Sequence, residues 1–300
     1  MVRRVGVGQV VLLVLLVVVA AVTAACRPPV PRQVLVPEAP RTAPVVVSVS
    51  ITAGPWSWVP VRERRAYLVT QRALITTRQD TLTKIDTVTS ELGAAFTQFV
   101  SANRISGSLT SFRVTTGSRP PATPAGITLP ITVAASATPT GLGATLQWTL
   151  TTPAEGAACS SVAWTIAQGL RDLWFRAPDT LRVGTSWRDS TSYVTCRDGI
   201  PLQLSVRRDF RVRAVAERDG RAVLTIQRDT RSTLAGDGVQ FGERVQFSGS
   251  GSGTLQFELE PTTGEFLGGS GTSALEFTMQ SRLRTQGVQQ AAVITLARGS

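Results

Sequence analysis

From residue 66 onward, apolar and polar residues alternate along much of the chain, the period of a strand with one face buried. AYLVTQRALITT (66–77), TLTKIDTVTSELG (81–93), FTQFVSA (96–102), SGSLTSFRVTTG (106–117) and TLQWTLTT (145–152) are all rich in β-branched residues. In the second run Leu82, Lys84, Asp86 and Val88 share one parity while Thr81, Thr83, Ile85 and Thr87 share the other, so the pattern alone leaves its facing open. RPPATPAG (119–126) breaks the regularity, and PITVAASATPTGLGA (130–144) reads as a loose connection. From Trp187 the pattern predicts an antiparallel meander. Its turn signals are RDG at 197–199, RDG at 218–220 and PTTG at 261–264.

One segment has a different period. In SSVAWTIAQGLRDLWFRAP, Val162, Ile166, Leu170, Leu173 and Trp174 form the stripe of an amphipathic helix over 160–177, with Ser160 as N-cap and Pro178 as stop. The expected body, 56–300, is therefore a curved antiparallel sheet with this helix packed on it. It divides into two similar halves, 56–152 and 178–298, linked by the helix.

Glycines crowd one hairpin: FSGSGSGTLQFELEPTTGEFLGGSGTSAL (247–275). A phosphate-binding loop leads into a helix N-terminus, but TLQFELE alternates as a strand and no lysine follows GGSG. Glycines on paired strands instead permit a bulge or sharp coiling. With PTTG as the turn, Glu260 faces Glu265. Counting outward places Gly251 and Gly253 opposite Ala274 and Thr272. Long, bent strands of this kind predict a half-barrel or open barrel.

The first 26 residues, MVRRVGVGQVVLLVLLVVVAAVTAAC, carry Arg3 and Arg4, an uncharged apolar run, then small residues and a cysteine, the layout of a secretory leader. VTAAC resembles the lipobox of bacterial lipoproteins, with Thr23 where that family more usually has Leu or Val. The resemblance implies a signal peptide over 1–25 and a lipid-modified, palmitate-bearing Cys26. Plain secretion and an uncleaved anchor remain as alternatives. Residues 26–55 are proline-rich and aperiodic, a tether between the anchor and the body. Arg27 stands where enteric lipoproteins carry an inner-membrane retention aspartate, so the resemblance implies an outer-membrane anchor facing the periplasm.

Formal charge is +11, or +9 once Arg3 and Arg4 leave with the leader. Such a balance raises nucleic acid or anionic lipid as partners. Yet Lys84 is the only lysine, Asn103 the only asparagine, and histidine is absent, which fits a biased base composition. The arginines also interleave with acids, as in VRERR (61–65), RRDFRVR (207–213) and ERDGR (217–221), the pattern of a solvated face. No nucleic-acid partner is expected.

With Cys26 lipidated, Cys159 and Cys196 remain, and an even pair in an exported chain is most simply a disulfide. In the chain-entropy model that loop stabilises by about 4 kcal/mol. The lack of histidine excludes Ser-His-Asp and Cys-His catalysis and the usual zinc sites. No catalytic residue, metal ligand or cofactor motif is found, and no enzyme activity is expected.

The curved sheet with one covering helix loosely resembles the LolA/LppX half-barrel carriers of the bacterial envelope. The likeness lies in architecture and transfers no residue. It implies an envelope lipoprotein that holds an apolar or amphipathic ligand, such as a lipid, between sheet and helix, with Trp164, Trp174, Phe257 and Phe277 as candidate contacts. The alternative is a structural or protein-interaction lipoprotein with a filled core.

Overall fold

The structure is a computed structural model that describes residues 54–57, 65–101, 104–124, 127–140, 143–150, 175–197, 199–240 and 242–299. The leader with Cys26, the tether up to residue 53, Cys159, Trp164 and Trp174 lie outside the described residues, as does the side chain of Cys196. Among the described residues the fold is β throughout. The expected helix falls on 160–174, outside them, while its last residues, Phe175–Ala177, are described and are not helical.

Eleven strands form one sheet: β2 (Arg65–Gln79), β3 (Leu82–Ser101), β4 (Arg104–Thr116), β5 (Ile131–Thr140), β6 (Gly143–Leu150), β8 (Ser186–Arg197), β9 (Ile200–Arg218), β10 (Arg221–Gln240), β11 (Glu243–Glu260), β12 (Glu265–Ser281) and β13 (Thr285–Arg298). β1 (Trp56–Ser57) and β7 (Thr180–Leu181) pair separately as a short ribbon. The sheet does not stop at a half-barrel. β13 pairs with β2 from Gln286↔Gln79 to Arg298↔Tyr67, and the sheet closes into a barrel. Closure removes the open edges that a half-barrel leaves.

A ring with an odd number of strands cannot alternate direction all the way round. Here the one parallel junction is β6 with β8, four residue pairs long, from Gly143↔Arg188 to Leu146↔Thr191. Both halves of the body thus belong to the same barrel. The stretch read as a loose connection is largely strand β5, which pairs with β4 and β6 and buries Ile131, Val133, Ala135 and Ala137.

The turn signals act where the sequence placed them. Asp219 and Gly220 take positive φ (52° and 74°) in the β9–β10 hairpin, as a type I′ turn requires. The β11–β12 turn closes with Gly264 N donating to Glu260 O at 2.8 Å. In β3 the ambiguity of facing is resolved: Val88, Ser90 and Leu92 are buried, so Asp86 shares the inner face, opposite Ile75.

Glu260 does face Glu265, but a β-bulge at Glu258/Leu259 sets Leu259 opposite Phe266 and Glu258 opposite Gly268. The extra residue slips the register by one relative to a plain count, so Gly251 meets Leu275 and Gly253 meets Ser273. Gly249, Gly251 and Gly253 thereby share a face with buried Phe247, Leu255 and Phe257, on the inside of the barrel. A methyl group on Gly269 would sit 2.7 Å from Phe257 Cβ and 2.8 Å from Gln256 O. On Gly271 it would sit 2.7 Å from Leu255 Cα and closer still to Thr254 O. The glycines let two strands coil together more tightly than any side chain allows.

Inside and outside are sharply different. β9 points Ile200, Leu202, Leu204, Phe210 and Val212 inward and Gln203, Ser205, Arg207, Asp209 and Arg211 outward. β11 likewise sends Arg244, Gln246, Ser248 and Glu258 outward. That is the reverse of a membrane-spanning barrel, where an arginine on the lipid face costs about 2–4 kcal/mol at the bilayer midplane. The outer wall of these strands faces water.

Candidate functional site

The barrel interior has three zones along its axis. One end is filled by aromatic rings around Phe175, which reaches in from the segment before β7. Its ring centroid lies 5.1 Å from Phe210, 5.6 Å from Phe257, 5.7 Å from Phe266 and 5.8 Å from Trp187. Trp187 and Phe210 stack in parallel at 5.0 Å. Tyr67 meets Phe266 edge-on, and its burial pushes the phenol up to about 12. The opposite end is packed by Leu202, Leu234, Phe247, Phe277 and Met279, all buried. Arg197 lies over this packing, 4.8 Å from the Phe277 ring and 5.8 Å from Phe247.

Between the two ends the interior turns polar. Asp189 and Arg208 form a two-pronged ion pair, Nε to Oδ1 at 2.6 Å and Nη2 to Oδ2 at 2.7 Å, with side chains only 1% and 3% exposed. Arg228 and Gln290 are buried nearby, and Thr191, Thr195, Thr230 and Ser232 face the same way. Trp187 Nε1, Thr191 Oγ1 and Gln290 Oε1 have no hydrogen-bond partner among the described residues. A cavity of about 170 Å³ lies in this zone. Polar Arg228, Gln290 and Ser232 are interspersed in its lining with apolar Leu255, Leu275 and Ile294; Leu255 is the cross-strand neighbour of Arg228.

The arginine runs are therefore not wholly a solvated face. In RRDFRVR, Arg207 and Asp209 are outside, where Arg188 and Arg207 hold the Asp209 carboxyl below its usual range despite the opposing effect of partial burial. Arg208, between them, is inside. The signal was present in the parity: Arg208 shares a face with Val206, Phe210 and Val212, and Arg228 with Leu224, Ile226 and Leu234. A charge sign pattern ignores that parity, whereas an arginine on an apolar face marks an interior site.

Of the four candidate contacts, Trp164 and Trp174 lie outside the described residues. Phe257 belongs to the aromatic end and Phe277 to the opposite end; both are buried, and neither lines the cavity. Glu260 and Glu265, opposite each other at the β11–β12 turn, are buried, but each is held by its own arginines: Glu260 by Arg221, Glu265 by Arg298 and Arg65. A wider groove of about 540 Å³ follows the short β6–β8 junction, where Arg188 and Arg211 alternate with Asp209 and Asp229. Among the described residues no cluster of His, Cys, Asp or Glu could hold a metal ion.

No family model matches the chain, and no curated protein does. Among solved structures it is similar to the crystal structure of Pseudomonas aeruginosa OpdQ at 7% identity. That match covers 79% of this chain and 100% of the other with a TM-score of 0.26, too low for any argument to rest on it.

Proposed function

We propose that this chain is an exported envelope lipoprotein, anchored through Cys26 and the tether, whose barrel is a binding module for a small amphipathic molecule. The observation that carries the reading is the cavity of about 170 Å³ whose lining mixes apolar side chains with a few buried polar ones. Sites that fix a ligand's orientation combine an apolar lining with a few placed polar groups. The volume is close to that of an engineered cavity of about 150 Å³ that admits benzene. A ligand in the lumen is therefore the size of a small ring, not a long acyl chain. The apolar stripe of 160–174 supports a helix packed on the sheet. The membrane is a partner through the lipid on Cys26, on the periplasmic side of the outer membrane.

The close packing of both barrel ends favours a second reading, a structural or interaction lipoprotein whose lumen holds only water. Native mass spectrometry of the full chain purified from its own envelope fraction separates the two. A diacylglyceryl mass on Cys26 and a co-purifying small molecule are the expected result. A lipidated chain with nothing bound would overturn the binding module, and an unmodified cysteine would overturn the anchor.

A further inference from the structure

We propose that one rim of the barrel is a lipid-facing surface: Leu82, Val239 and Leu283, on three consecutive hairpins, dip into a phospholipid bilayer while Arg78, Arg282 and Arg284 meet its phosphates. The inference concerns the outside of one barrel end and does not draw on the lumen.

Among the described residues six large apolar side chains are exposed, and four of them stand at one end. Leu82 (74% exposed) and Ile85 are on the β2–β3 hairpin, Val239 (68%) is on the β10–β11 hairpin, and Leu283 (79%) is in the β12–β13 turn. The other two, Leu68 and Val183, lie toward the opposite end, near the start of β2 and just before β8. The three hairpins are neighbours round the barrel, in the order β10-β11-β12-β13-β2-β3. Register keeps their tips level: Val239 pairs with Arg244, Val245 with Ser281, Gln286 with Gln79 and Gln79 with Leu82. Single exposed apolar residues are ordinary on a protein surface, but a gathering of them marks an interaction site.

The β12–β13 turn presents its leucine between two cations. Ser281 N donates to Arg284 O at 2.8 Å, and Ser281 Oγ accepts from Leu283 N at 3.3 Å and Arg284 N at 3.2 Å. These bonds fix the turn, with exposed Arg282 and Arg284 on either side of Leu283. Elsewhere on the rim, Lys84 is paired with Asp86 at 2.9 Å and Arg244 with Asp237 at 3.4 Å. Arg78, Arg282 and Arg284 stand against Asp80 and Glu243, a small positive excess. An arginine can keep its guanidinium among phosphates while an apolar neighbour goes deeper, and it bonds phosphate with two prongs.

A bilayer fits this arrangement better than a folded partner does. A stable protein interface covers about 800 Å² on each side in one continuous patch, whereas these apolar residues stand on separate tips with arginines between them. A fluid interface receives such tips one by one. The polar outer wall of the strands stops the barrel from sinking further, so it stands on the bilayer without crossing it.

The test is hydrogen exchange, read by mass spectrometry, on the full chain held either on vesicles of phosphatidylethanolamine and phosphatidylglycerol or in micelles of a maltoside detergent. Both accept an apolar anchor, but only the vesicles offer a phosphate surface. Exchange of the amides in 79–84, 243–245 and 281–285 is expected to slow about fivefold or more on the vesicles, the gain that one arginine brings near an anionic surface. The hairpin at 218–220, at the opposite end, should not change. Leu82→Ser/Val239→Ser/Leu283→Ser alters only exposed side chains and should abolish the slowing, and Arg282→Gln/Arg284→Gln should reduce it. Equal exchange on vesicles and in micelles would overturn the inference, as would slowing that the serine variant retains. Slowing that instead rises with protein concentration in micelles would identify a second copy of the chain as the partner, and would overturn it too. The readout is local to the rim, so it answers whether or not Cys26 carries lipid and whatever the lumen binds.

Discussion

The glycines of β12 provide the sharpest test of how this barrel is held together. Adding a methyl group to Gly271 would place it 2.7 Å from Leu255 Cα and closer still to the Thr254 carbonyl oxygen. Carbon atoms in contact sit about 3.5–4.0 Å apart, so β11 and β12 would have to separate by roughly 1 Å at the point where they coil together. Both obstacles are backbone atoms, and no side-chain rotation relieves them. Overpacking of this kind costs about 1–3 kcal/mol, occasionally more, and Gly271→Ala is expected at or above the upper end of that range. Gly287, on β13, is the control: nothing lies within 4 Å of an added methyl group. Gly287→Ala should be neutral or stabilise by up to about 1 kcal/mol, because alanine has less unfolded-state entropy to lose. Urea unfolding monitored by tryptophan fluorescence measures both, with the midpoint expected to fall for Gly271→Ala at an unchanged m-value. If Gly271→Ala lay within about 0.5 kcal/mol of Gly287→Ala, the idea that these glycines are required by strand approach would be wrong.

Three further outcomes are expected. Asp189→Asn or Arg208→Met alone should cost about 3–5 kcal/mol in urea unfolding, because each leaves a buried charge behind, whereas the double replacement Asp189→Leu/Arg208→Met should recover most of the loss; a double mutant as unstable as the singles would show that other groups hold the pair. Phe175→Ala removes the ring at the centre of the aromatic end and should cost about 3–5 kcal/mol, and a loss under 1 kcal/mol would mean that Phe175 does not plug the barrel. Tyr67 stays protonated in the folded state up to about 12, while in the unfolded chain it ionises near the ordinary tyrosine value of 10.0. Stability from this residue is therefore fully present below pH 10 and is lost as pH rises towards 12, by about 2–3 kcal/mol in all. In an absorbance titration of phenolate, Tyr67→Phe should remove the late step; a Tyr67 titrating near 10 in the folded protein would contradict its burial.

Much of the fold was legible in local sequence. Strand period and the turn residues at 218–220 and 261–264 follow from side-chain alternation and from backbone conformations that glycine adopts without strain. Even the purpose of GSGSG could be read, since a strand downstream rules out a phosphate loop. Its exact partners could not. One bulge residue at Glu258/Leu259 shifts the pairing, and a bulge is chosen by the coiling of the whole sheet, not by the hairpin that contains it.

Local alternation therefore determined that this protein is β and which side chains share a face, because those properties depend on residues two apart. Tertiary structure decided that the sheet closes, since the β13–β2 pairing joins residues more than 200 positions apart in the chain and nothing within either strand names its partner. It also decided what the arginines do. A charge run looks the same on either side of a sheet; only closure around a common interior turns Arg208 and Arg228 from surface charge into the walls of a lumen.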